Sequence, residues 1–212
     1  MNKKIPPRAE NLRRALAQEA ARLMAEHGIR DFLTAKRKAA ERFGVFDGGL
    51  LPKNTEIQDA LVEYQRLFGG DEHAQQLSAQ RQAALAAMDL LGEFNPRLVG
   101  AVLHGTATEH NDVQLHVFAD RAETVGLMLM DRAIPHEFFE RRLKYGSGRT
   151  VNQPGVRFEI EQHGIDALVF TEDGIRQAPV SPVDGKPMRR ADVDEVRTLL
   201  QLEAAPASLL NS

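Results

Sequence analysis

The residues whose types and spacing best suit chemistry lie mid-chain: His104-Gly105-Thr106, then Asn111-Asp112-Val113-Gln114-Leu115. An apolar run, Leu98 to Leu103, leads into Gly105-Thr106, and after a short loop a second run opens on the acidic Asp112. Side chains two apart on a strand share a face. Asp112, Gln114, His116 and Phe118 therefore fall together, with Val113, Leu115, Val117 and Ala119 on the other side. Gln114 sets an amide oxygen beside the Asp112 carboxylate but adds no charge. A further carboxylate, Asp166, sits in a second apolar stretch, Gly164-Ile165-Asp166-Ala167-Leu168-Val169. The plainer alternative is a strand-to-loop turn at Gly105-Thr106, a solvated strand face at Asp112 and Gln114, and a residue following a hairpin at Asp166.

Taken together, these stretches resemble the signature of the nucleotidyltransferase (DNA polymerase beta-like) superfamily, from roughly Leu98 to Phe170, about a third of the chain. There, a strand runs into Gly-Ser or Gly-Thr, and the next strand carries two carboxylates one residue apart. The resemblance implies that Gly105 lets backbone approach a nucleoside triphosphate and that Thr106 holds a phosphate oxygen. It implies Asp112 and Asp166 as ligands of Mg2+ or Mn2+, and Asp112, Gln114 and Asp166 as the catalytic set. In such a site two metals activate the attacking hydroxyl and neutralise the leaving pyrophosphate. This chain departs from the pattern at Gln114, where the second carboxylate belongs. Either one metal site is lost, or His116 or Glu159 supplies the missing ligand.

Other groups have plainer readings. Arg141, Arg142, Lys144, Arg149 and Arg157 could grip triphosphate or nucleic-acid phosphates, but Glu137, Glu140 and Glu159 among them suggest a mixed surface. Lys186, Arg189 and Arg190 precede a helix start, where an anion could bind; an exposed basic cluster is the simpler reading. His104, His110, His116, His136 and His163 match no standard metal-ligand spacing. Neither a Walker phosphate loop nor a nucleophile elbow occurs.

The elements that must position these groups divide at Asn95-Pro96. Before it the pattern is helical. Leu12, Leu16, Ala20 and Leu23 recur at helical spacing up to Gly28. Asp31 caps a helix with Phe32, Ala39, Ala40 and Phe43, and a turn follows at Phe46-Asp47-Gly48-Gly49. Thr55 and Gln58 suggest a capping box for a helix with Ile57, Leu61, Tyr64 and Phe68. Leu77, Ala84, Leu85, Met88 and Leu91 mark a fourth helix. After the division come strands at Leu98–Leu103, Asp112–Asp120, Phe139–Tyr145, Val156–Ile160 and Ile165–Phe170. A helix apolar nearly all round is expected over Glu123–Ala133, a break at Gly146-Ser147-Gly148, a hairpin turn at His163-Gly164, and a last helix opened by Asp192. The expected architecture is α+β: a helical segment (1–95) packed on a small mixed-sheet nucleotidyltransferase-like domain (96–203), then a tail (204–212).

Composition bounds the function. The 212 residues contain no cysteine, which excludes disulfides, thiolate nucleophiles and cysteine metal sites. A net charge of -3 gives no global attraction to nucleic acid, and the absence of tryptophan with 6% aromatics argues against a base-stacking platform. The longest apolar run near the middle, Val125–Met130, is too short for a membrane span, and no apolar segment follows Lys3 and Lys4, so the expectation is a cytoplasmic protein without membrane partners. One function that fits is transfer of a nucleoside monophosphate from a triphosphate to a hydroxyl on a small molecule, protein or RNA. Another is a non-catalytic nucleotide- or protein-binding module, antitoxin-like, that keeps the fold. A plain structural α+β protein is the third. Gln114 favours the second.

Overall fold

A computed structural model describes residues 7–46, 48–146 and 148–204. The expected tail from 205 onward, and Asp47 and Ser147 of the two expected turns, lie outside the described residues. The chain forms two compact units. One holds residues up to 74 with 108–111 and 182–184; the other holds 75–107, 112–181 and the chain from 185. The division falls inside a helix, so residues 75–95 group with the sheet rather than with the helices before them.

The first unit is built on α1 (Pro7–His27), α2 (Phe32–Arg42) and α3 (Asn54–Phe68). Its core is mostly alanine: Ala17, Ala20, Ala21, Ala35, Ala39 and Ala40 around Leu16, Ile57 and Leu61. Such small side chains let helices approach closely. Asp31 caps α2 as expected, its Oδ1 accepting from the Thr34 N–H at 2.7 Å. The start of α3 differs from expectation. Glu56, rather than a Thr55–Gln58 pair, closes it by accepting from the Lys53 N–H at 2.6 Å. The same Glu56 carboxylate ties α3 to α1 through Arg13 Nε and Nη2, at 2.9 and 2.7 Å. One acidic side chain thus serves the helix end and the helix pair.

The second unit is a five-stranded mixed sheet of order β1-β2-β5-β4-β3. The strands are β1 (Arg97–Val99), β2 (Val113–Phe118), β3 (His136–Lys144), β4 (Thr150–Ile160) and β5 (His163–Phe170). β2 and β5 are parallel, with Gln114 opposite Asp166 and His116 opposite Leu168; the other neighbours are antiparallel. The helices are α4 (Gly70–Leu90), which begins in the first unit, α5 (Gly100–His104), α6 (Ala122–Asp131) and α7 (Val193–Ala204). Val113, Leu115 and Val117 of β2 and Ile165, Ala167 and Val169 of β5 face a core shared with Met88, Leu91, Val102, Val125, Leu129 and Val196. The opposite face carries a smaller cluster of Phe118, Leu168 and Phe170 backed by Phe139 and Leu143. Alternation along β2 thus sorts its residues as the sequence implies. No helix of the described residues is long and apolar enough to cross a membrane.

Three expectations are corrected. Leu98–Leu103 is not one strand: β1 ends at Val99, and Gly100, at φ 73°, turns the chain into α5. Val102 and Leu103 are apolar because a short helix buries them in the main core. The hairpin turn between β4 and β5 is not His163-Gly164 but Glu161-Gln162, both left-handed (φ 49° and 68°), as a two-residue type I′ turn requires. Nor is α6 apolar all round in its burial: Ala122, Val125, Gly126 and Leu129 are buried, whereas Leu127 and Met130 are more than half exposed.

Candidate functional site

The sheet face opposite the main core carries a row of charged and aromatic side chains. At its centre is Asp166, whose side chain is 1% exposed. Alternation on β5 sends it away from the helices, and β4 and β3 bring guanidinia to it. Arg157 donates from Nε to Oδ1 at 2.6 Å and from Nη2 to Oδ2 at 3.3 Å. Arg141 donates from Nη2 to Oδ2 at 2.5 Å. Burial pushes the Asp166 carboxyl upward, but the hydrogen bonds and charges of Arg157 and Arg141 outweigh it and hold it below the ordinary value. Arg157 is stabilised in turn as the cation, chiefly by its bond to Asp166, and also reaches Glu137 at 3.2 Å.

Phe139 lies beneath both arginines, its ring centre 5.4 Å from the Arg141 guanidinium and 5.1 Å from that of Arg157. It can do so because β4 carries Gly155 at that point. A Cβ there would fall 2.7 Å from the Phe139 ring and 2.9 Å from the Ala167 carbonyl oxygen. The stacking adds cation–π attraction and restricts the arginine rotamers.

The sequence-derived candidates separate into two places. Gln114 and Asp166 are register partners on adjacent strands. Asp112, just before β2, rests over Gly164, where a Cβ would fall 2.6 Å from its Oδ1. Asp112 and Asp166 thus share a face about 7 Å apart along the strand direction, and Asp112 lies within the field of Arg157. Gly105 and Thr106 lie elsewhere. Gly105, at φ 75°, ends α5, and the Thr106 N–H donates to the Ala101 carbonyl at 3.0 Å. Gly105 neighbours Leu77 and Arg81, and Arg81 donates to the Val102 and Leu103 carbonyls at 3.1 and 3.4 Å. A helix C-terminus presents carbonyl oxygens, the wrong polarity for a phosphate. The glycine beside Gln114 is instead Gly100, where a Cβ would fall 2.7 Å from Gln114 Oε1. Thus the glycine that precedes β2 in the chain and packs on Gln114 is five residues earlier than the motif suggested.

The fit of a divalent metal can be judged from the donors. Both oxygens of Asp166 are occupied by guanidinia, and Gln114 supplies no charge. His116 is 1% exposed, and burial, then the charges of Arg190 and Arg141, push its pKa down to about 3. It is neutral, and its Nδ1 accepts from Arg190 Nε at 3.0 Å, which leaves the proton on Nε2. Glu159 is exposed near the end of β4, paired with Gly164 of β5. Among the described residues no three of His, Asp and Glu gather closely enough to hold a metal ion. The residues present do not fit a two-metal centre.

In comparison with known proteins, no family model matches the chain and no curated protein matches it.

The arginines were visible in sequence as a basic group near the later strands; their convergence on Asp166 was not. One signal was available. Arg141 shares strand parity with Phe139 and Leu143, so a face that buries those two also presents Arg141.

Proposed function

We propose that this protein is a non-catalytic relative of the nucleotidyltransferase-like fold that binds the phosphates of a nucleotide without metal. The observation that carries this reading is Asp166, buried between Arg141 and Arg157. In a metal-dependent transferase that carboxylate must be open to a cation. Here two guanidinia already take up both of its oxygens, so a divalent ion would have to displace them rather than enter an open carboxylate cage. Arg141 and Arg157 keep 30% and 41% of their side-chain surface exposed, so their outer edges can meet phosphate oxygens. The succession of β1, Gly100, α5, Asp112 just before β2 and Gln114 on it, with Asp166 on the parallel neighbour β5, supports the fold reading.

The test is calorimetry with ATP and GTP in the presence and absence of EDTA, joined to a transfer assay with labelled triphosphate and Mg2+ or Mn2+. Expected are chelator-insensitive binding that weakens with salt, a loss of affinity in Arg141→Gln and Arg157→Gln, and no transfer. Turnover at an ordinary enzyme rate would sink the reading and restore Asp112 and Asp166 as catalytic metal ligands. Absence of nucleotide binding would leave an antitoxin-like protein-binding module, whose assay is complex formation rather than nucleotide affinity.

A further inference from the structure

A cavity of about 510 Å³ opens where the 175–190 loop meets the end of β3, lined by Tyr145, Ile175, Arg176, Gln177, Met188 and Arg190. Arg190 is firmly built into its wall. Its guanidinium lies 5.1 Å from the ring centres of both Phe118 and Phe170. Its Nε donates to His116 Nδ1 at 3.0 Å, and its Nη1 to the Gly174 and Ile175 carbonyls at 2.9 and 3.0 Å. Its Nη2 is shielded from solvent and has no acceptor among the described residues.

Charge makes the site unusual. His116 is neutral, and among the described residues the charged or titratable groups acting on Arg190 are Tyr145 and Arg97, with no carboxylate; burial and the charge of Arg97 weigh against the Arg190 cation. A half-buried, rigidly held cation without counter-ion is a cost that a protein removes by pairing it. Every contact Arg190 makes is to a ring, a neutral imidazole or a carbonyl, so the missing partner is an anion.

We propose that this cavity binds the oxyanion head group of a small molecule, phosphate or carboxylate, with the Arg190 guanidinium in its wall as the inner cation and the exposed Arg176 as the second. A planar guanidinium edge matches two oxygens of either head group. Ile175, Met188 and the Tyr145 ring suit an organic body attached to it. The inference does not depend on nucleotide binding at Arg141 and Arg157, since it uses different side chains at the other end of the sheet face.

The experiment uses the full chain with isotope-labelled arginine side chains, followed by NMR while inorganic phosphate and, separately, acetate are titrated at low ionic strength. The Arg190 guanidinium resonances should shift saturably with at least one anion, and the tighter anion identifies the head group. Arg190→Lys keeps the charge but loses the forked edge. Because Arg190 also braces His116 and the 174–175 carbonyls, Arg176→Gln is the variant that probes the cavity without disturbing them. Arg176→Gln should weaken the apparent affinity about fivefold to tenfold while its circular dichroism stays that of the parent chain. Arg157→Gln should leave the Arg190 response unchanged. Resonances of Arg190 that stay still at tens of millimolar of both anions overturn the proposal, as does an equal response in Arg176→Gln and the parent. Shifts confined to Arg141 and Arg157 overturn it too, while leaving the nucleotide reading intact.

Discussion

Replacing Asp166 by Asn keeps the shape of the side chain and removes its charge, leaving Arg141 and Arg157 facing one another across an amide. Removing one partner of a fully buried ion pair costs about 3–5 kcal/mol. Asp166 is buried, but the arginine side chains are 30% and 41% exposed, so water can take up the orphaned guanidinia. With that screening the expected loss is nearer ~2 kcal/mol. In a chain of this size it corresponds to a fall in Tm of about 4–8 °C. The pH dependence is specific. The Asp166 carboxyl titrates below its ordinary value in the folded protein, so its stabilisation is fully present above the unfolded pKa of about 3.9 and is lost as pH falls through the lower folded value. Thermal melts of parent and Asp166→Asn from pH 8 to pH 3 should therefore run parallel down to about pH 5 and converge only below about 4. The same melts with Mg2+ or Mn2+ should show no added stability in either protein. A parent chain stabilised by either metal, with Asp166→Asn losing that gain, would refute the ion-triad assignment. So would identical melts of the two proteins across the whole range.

His116, whose pKa is pushed down to about 3, should show no imidazole titration by NMR between pH 5 and 8. The unfolded chain binds a proton there that the folded chain does not, so His116 lowers stability as pH falls from about 6.5 toward 3, by at most ~1.4 kcal/mol per pH unit. His116→Phe should flatten that slope in acid melts. Charge alone would have Gln114→Glu strengthen metal binding. With two guanidinia on Asp166, the single variant should bind Mn2+ weakly by calorimetry and Gln114→Glu with Arg157→Gln markedly better; no gain in the double variant would contradict the guanidinium argument. Gly100→Ala places a Cβ 2.7 Å from Gln114 Oε1 at a φ of 73°, and should cost about 1–3 kcal/mol in urea unfolding.

The sequence by itself determined whatever depends on neighbours along the chain. Period two in β2 assigned Asp112, Gln114, His116 and Phe118 to one face and the core residues to the other, because a pleated backbone alternates whatever lies beside it. Asp31 was readable as a cap because its acceptor needs only the next few N–H groups. The missing carboxylate at Gln114 was legible for the same reason. Local pattern was silent where an apolar run fits two structures. Leu98–Leu103 reads equally as a buried strand or a buried helix, and only the left-handed Gly100 ends one and begins the other. Only tertiary structure decided the character of the site. Asp166 meets Arg157 across a hairpin and Arg141 from a strand 25 residues away, while Arg190 reaches His116 across 74 residues. In sequence these residues are ordinary surface charges of both signs. Strand order and register set which of them share one face, and burial then turns Asp166 from a possible metal ligand into the centre of an ion triad, because a carboxylate removed from water binds whichever cation the fold holds within reach.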